Sequence, residues 1–274
     1  MNKQQKIKYA IFAGSAALLV GIGLAVAFFT DAETKNNLVS IGKVSMELTE
    51  NFTNGDTLVP GQKKTKAPKL TNDGKNDEYV FLEVRVPREN VQMVDASGAL
   101  IDSDKKMQEI FKFLAEQDKI GENADGTDIK GTVQSLSGIC KNPSGADETL
   151  ADTVFSYHNG GNSSEGWIHL YKWNSQENNT DYNIYLFGYN KKLLTETSTR
   201  TLFDEIQLKS FIDEQLTGIT GGKKSEQIAI VAYGIQADNL DLQDTDGENL
   251  SEKAYLSSDD LKSIYQVVQK KAGD

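Results

Sequence analysis

Tyr79-Val80-Phe81-Leu82-Glu83-Val84-Arg85-Val86, closed by Pro87, is the stretch from which the fold class is read. β-Branched and aromatic residues dominate it, and it is too short for a buried helix, so it reads as a strand ended by the proline. Further along, strands are expected at 132–140, 152–157, 166–173, 181–189 and 226–236. The last contains Gln227-Ile228-Ala229-Ile230-Val231-Ala232-Tyr233-Gly234-Ile235, apolar almost throughout, and is expected at the centre of a sheet. Upstream, Val44, Met46 and Leu48 alternate with polar residues, a half-buried strand. Between 51 and 71, Asn54-Gly55, Pro60-Gly61 and Pro68 mark loop with a short edge strand.

Three stretches carry a helical period instead. Ser103 to Ile120 places Met107, Ile110, Phe111 and Leu114 on one helical stripe. Thr201 with Asp204 resembles a capping box ahead of Leu202 to Leu216, and Ser257 with Asp260 opens a C-terminal helix carrying Leu261, Ile264, Val267 and Val268. The expected fold is therefore mainly β, a jelly-roll-like β-sandwich with a few peripheral α-helices. No internal repeat or linker divides it, which leaves one domain over 41–274.

Before that domain, Lys3, Lys6 and Lys8 precede an uncharged run from Tyr9 to Phe29, ending in Ala25-Val26-Ala27. A basic start, an apolar middle and small residues at the last and third-last positions form a signal-peptidase pattern. Residues 1–27 read as a signal peptide cut after Ala27, leaving Phe28 as the first residue. Retention as a membrane helix is the rival reading, and it too would put the remainder outside.

Composition narrows the function. The chain of 274 residues has 29 Lys plus Arg against 40 Asp plus Glu, a net charge of −11. Loss of the three N-terminal lysines takes this to −14, which argues against nucleic acid as a partner. A lone Cys140 excludes an intramolecular disulfide; it is either buried or open to an intermolecular bridge. His158 and His169 are the only imidazoles, and neither stands in the HExxH arrangement that places two ligands on one helix turn. His169 lies opposite Ile168 and Leu170 by alternation and reads as a surface or satisfied sandwich histidine. No nucleophile elbow or phosphate loop appears. The expectation is no enzyme, no catalytic residue, no metal ligand and no cofactor.

The acidic run 238–248 fails as an EF-hand, because its first and last ligands would be Leu242 and Lys253. It reads as a solvated loop or a looser oxygen-ligand site. Trp167, Tyr171 and Trp173 share one strand face by odd spacing, either as core or as a glycan platform.

Ala25-Val26-Ala27, then Phe28-Phe29-Thr30-Asp31-Ala32-Glu33-Thr34, Asn37 and Ile41-Gly42-Lys43-Val44, resembles the processing region of the TasA/camelysin family. Leu70-Thr71-Asn72-Asp73-Gly74, Asp77-Glu78-Tyr79-Val80, Phe187-Gly188-Tyr189-Asn190, Thr201-Leu202-Phe203-Asp204 and Ala232 to Asp238 extend the likeness, which is weakest over about 100–165. The resemblance implies a Gram-positive protein exported with a SipW-type signal peptidase. It further implies a jelly-roll, pilus-like subunit that self-assembles head to tail into fibres of the extracellular biofilm matrix, with an accessory matrix subunit as a possible companion. Segment 28–40 would be the donor strand that completes the next subunit's sheet, with Phe28, Phe29, Thr30, Leu38, Val39 and Ile41 as contacts. The alternative implied by the same family is a camelysin-like cell-surface metalloendopeptidase, which would use acidic ligands with one or both histidines. A third reading is a monomeric glycan-binding adhesin.

Overall fold

Tyr79 to Val86 does form a strand, and that strand organises the molecule. The structure, a computed structural model, describes residues 46–49, 60–150, 155–161, 164–177, 179–212, 228–238, 240 and 242–272. In chain order the first strands are β1 (Met46–Thr49), β2 (Lys63–Thr65), β3 (Lys69–Asn72), β4 (Glu78–Val91), β5 (Lys106–Glu109) and β6 (Phe111–Leu114). Next come β7 (Lys119–Glu122), β8 (Asp128–Lys130), β9 (Thr132–Leu136), β10 (Ile139–Lys141), β11 (Asp147–Thr149) and β12 (Phe155–Asn159). They are followed by β13 (Trp167–Glu177), β14 (Thr180–Tyr189), β15 (Glu205–Leu208), β16 (Ala229–Gln236) and a helix, α1 (Ser258–Ala272).

A seven-stranded sheet runs β16-β4-β14-β13-β12-β9, with β5 as a further partner of β4. β4 does not stop at Pro87. Its register with β16 ends at Arg85 and its register with β5 begins at Arg88, so Pro87 falls where the outer partner changes. The Pro87 carbonyl accepts from Ile110 N at 3.2 Å on that side, so the missing N–H faces a gap in the ladder.

Alternation along β4 sorts its side chains between two cores. Val80, Leu82, Val84 and Val86 face a three-stranded sheet, β2-β15-β6, together with Tyr185 and Phe187 of β14. That sheet contributes Phe111, Phe113, Ile206 and Leu208, and Phe113 lies 4.6 Å from Phe155 and 4.8 Å from Phe203 between ring centroids. The opposite face carries Tyr79, Phe81, Leu170 and Leu186 against Leu261, Ile264 and Tyr265 of α1. The architecture is a mainly β sandwich with a helix covering the second face of its larger sheet.

The C-terminal helix starts as its sequence indicates: Ser257 Oγ accepts from Asp260 N at 3.2 Å, and Asp260 Oδ2 accepts from Ser257 N at 2.9 Å. The two other expected helices are corrected. Over 103–120 the chain forms β5, β6 and the start of β7, in which Phe111 and Phe113 are buried and Met107 is exposed. A period-two pair of phenylalanines was hidden inside a set that also fits a helical stripe. Leu202 and Phe203 are buried ahead of strand β15, and Asp204 joins a polar network instead of capping a helix. The continuation from 213 lies outside the described residues.

A turn motif joins several strands. Asp95, Asn123, Asn142 and Asp244 each accept, through the backbone carbonyl, from a glycine three residues on, Gly98, Gly126, Gly145 and Gly247. Each glycine has φ between 82° and 91°, the left-handed conformation that a type I turn with a bulge requires.

Candidate functional site

β16 is the last strand of the large sheet, not a central one. Among the described residues only β4 pairs with it, and its other backbone edge carries no ladder. It is apolar for a different reason from the one its sequence suggests. Ile230 and Ala232 belong to the core under the small sheet, while Ile235 packs in the core under α1. Burial of both faces requires an apolar strand wherever that strand stands in the order.

The combination gives the edge its chemistry. Edge strands are usually blunted by lysine, proline or shortness. β2, at one edge of the small sheet, carries Lys63 and Lys64 beside its ladder to β15. β9, at the other end of the large sheet, is largely exposed and polar. β16 has eight residues, Ala229–Gln236, and no charged side chain. An apolar edge of this kind can accept one more extended strand with apolar side chains on both faces.

The proposed donor contacts Phe28, Phe29, Thr30, Leu38, Val39 and Ile41, and the cleavage positions Ala25 and Ala27, lie outside the described residues. The next described piece of chain, β1, pairs antiparallel with β3, Met46 opposite Asn72 and Leu48 opposite Leu70.

The histidines occupy two different environments. His158 on β12 is buried, with Nε2 at 2.9 Å from Asp204 Oδ2 and Nδ1 at 3.2 Å from Arg200 Nη2. Arg200 also donates to Asp118 Oδ1 at 2.6 Å. An arginine cannot accept, so Nδ1 takes its hydrogen bond and Nε2–H donates to Asp204. Burial pushes the Asp204 carboxyl up, but the bonds from His158 and Glu116 N outweigh it and hold it below its ordinary value. The cluster ties β12 to the chain leading into β15 and the chain leading into β7. Sequence reading missed Arg200 and Asp118, whose distance along the chain from His158 hides the contact.

His169 does lie opposite Ile168 and Leu170, with its ring 5.3 Å from Phe187 and 6.0 Å from Tyr185. It is not satisfied: Nε2 is shut from solvent without a partner. Burial pushes its pKa down to about 4, against a hydrogen bond donated by the ring to the Tyr171 backbone, which acts the other way. The ring is therefore neutral near neutral pH.

The aromatic stripe does not hold. A bulge between His169 and Tyr171 adds Leu170 to the strand and inverts the alternation. Trp167 joins the core under the small sheet, while Tyr171 and Trp173 pack on the α1 side.

Of the acidic run, Asp244 is used internally, while Asp238, Asp246 and Glu248 are exposed. Asp244 Oδ1 accepts from Asp246 N at 2.8 Å and Glu248 N at 2.9 Å, and its Oδ2 pairs with Lys253 at 2.6 Å. Cys140 is half-buried against the aromatic core, and burial raises its thiol pKa. Among the described residues no three His, Cys, Asp or Glu side chains stand together as a metal-binding group. A zinc ion does not fit the histidines as they are held. Binding at either nitrogen of His158 would break its bond to Asp204 or Arg200, and His169 faces aromatic rings.

Comparison with known proteins returns one family model, described as camelysin metallo-endopeptidase, matching residues 2–193. No curated protein and no solved structure matches. The matched span runs through the stretch at 100–165 where the likeness had looked weakest. It ends before Thr201–Asp204 and Ala232–Asp238, so those pieces lie beyond it.

Proposed function

The chain belongs to the camelysin metallo-endopeptidase family, and from that premise we propose that it is an exported structural subunit that polymerises by donor-strand complementation. The observation that carries the reading is β16, an uncharged apolar strand with no strand along its outer edge among the described residues. Segment 28–40 of one subunit adds to that edge in the next, with Phe28 and Phe29 as anchors. Burying each phenylalanine contributes about 1.5–3 kcal/mol, and the ladder sets the register. A contact of this kind joins different surfaces of the two subunits, so it grows an open filament and does not close. Signal removal frees the donor, which makes cleavage by a SipW-type peptidase the switch for assembly outside the cell. The polymer is a homopolymer in this reading, and fits an extracellular biofilm matrix or cell surface.

The test compares a chain beginning at Phe28 with one beginning at Leu38, by size-exclusion chromatography and negative-stain microscopy. The first should give fibres or ladders and the second monomers. Monomers from both would refute donor-strand assembly.

The family's description favours a second reading, a metallo-endopeptidase. It predicts chelator-sensitive cleavage of casein by the purified chain, and it requires histidines released from the contacts that His158 now makes.

A further inference from the structure

Glu109, Asn183 and Lys209 come from three separate elements and meet inside the sandwich. Glu109 ends β5, Asn183 lies in β14, and Lys209 follows β15 directly. Glu109 and Asn183 are buried, and Lys209 keeps only 11 % of its side chain exposed. Asn183 Nδ2 and the Tyr185 hydroxyl both donate to Glu109 Oε1, while Lys209 Nζ stands 3.7 Å from Glu109 Oε2. The Lys209 ammonium also sits 5.5 Å from the Phe155 ring centroid. Asn183 Oδ1 is buried without a hydrogen-bond partner, an arrangement that interiors normally avoid.

We propose that Lys209 and Asn183 become joined by an intramolecular isopeptide bond, with Glu109 moving the protons. The three parts of the reaction are all present. Lys209 supplies the nucleophile: burial pushes its pKa down to about 8, with the Glu109 charge opposing, so a useful share is the neutral amine. Asn183 supplies the electrophile, Cγ of its carboxamide. Glu109 touches both and is held for proton transfer between them.

In the step itself, the Lys209 Nζ lone pair bonds to Asn183 Cγ as a rotation of the lysine stem closes the gap. Glu109 takes a proton from Nζ and returns it to Nδ2, the Cγ–Nδ2 bond breaks, and ammonia leaves. An amine and a primary amide become a secondary amide and ammonia, with no oxidant, reductant or cofactor. Confinement of the three groups between the sheets replaces the activation that such a transfer lacks in water. The product ties β14 of the large sheet to the end of β15 in the small one, across the core. It holds whether or not the chain forms fibres.

The experiment is mass spectrometry of the purified, denatured full chain, read against the N-terminus found on it. Loss of one ammonia, about 17 Da, is expected, together with a branched tryptic peptide joining residues 183 and 209. Glu109→Gln, Asn183→Ala and Lys209→Arg should each restore the unlinked mass. Should these variants not fold, the wild-type mass and peptide map decide alone. An intact mass equal to the sequence, or tryptic cleavage after an unmodified Lys209, overturns the proposal. So does an ammonia loss that maps to an Asn–Gly pair such as Asn54-Gly55.

Discussion

Replacing His169 with leucine should remove a defined part of the acid sensitivity of this fold. The imidazole sits against Phe187 and Tyr185 with Nε2 sealed and unpartnered, and its pKa falls from 6.5 to about 4. In the unfolded chain it titrates at its ordinary value. Between the two values the unfolded state binds the extra proton, so stability is full above pH 6.5 and falls as pH drops towards 4. At 1.36 kcal/mol per pKa unit, the loss amounts to about 2 kcal/mol by pH 5 and about 3 kcal/mol by pH 4. Asp95, Asp102, Asp125, Asp204 and Asp244 have folded values below 3.8, so their losses come at lower pH. Urea unfolding at pH 7.5 and pH 5 isolates the histidine. The wild type should lose about 2 kcal/mol more than His169→Leu over that interval. Equal losses in the two proteins would show that the imidazole takes up its proton in the folded state and that Nε2 is not closed to water.

Four further outcomes follow from particular positions. A Cβ at Gly131 would land on Arg200 Nη2 and Asp118 Oδ1, two flexible ends, so Gly131→Ala should break their pair at a cost of about 1.5–3 kcal/mol. At Gly166 the Cβ would meet backbone of Asn159 and Gly160 at 2.6–2.7 Å, so in thermal unfolding Gly166→Ala should be the more damaging change. Ser257→Ala removes the acceptor for Asp260 N and should cost about 1 kcal/mol in urea unfolding. If donor strands add at β16, alternate amides of Ala229–Gln236 should exchange quickly in the monomer beginning at Leu38 and become protected in fibres by hydrogen-exchange mass spectrometry.

Strand identity along β4, β12, β13, β14 and β16 was legible, because each run is rich in β-branched and aromatic residues. The helix at Ser258–Ala272 was legible too, from its capping pair and its apolar stripe. At 103–120 the same method failed, since Met107, Ile110, Phe111 and Leu114 satisfy a helical spacing while Phe111 and Phe113 satisfy a strand. The Asp95, Asn123 and Asn142 turns, each with glycine three residues on, were the available signal that hairpins crowd this part of the chain.

Sequence by itself determined which segments are extended, where the final helix starts, and that His169 opposes Ile168 and Leu170. These properties are local: a side chain's period and a cap's hydrogen bonds involve neighbours a few residues apart. Only the tertiary structure decided that β16 stands at an edge among the described strands, that a bulge at Leu170 divides Trp167 from Tyr171, and that Glu109, Asn183 and Lys209 meet inside the sandwich. Hydrophobic patterning reports which faces of a strand are covered and is silent on which backbone edge is paired. Meetings between residues as far apart as 109 and 209 arise when sheets pack, which no local period records.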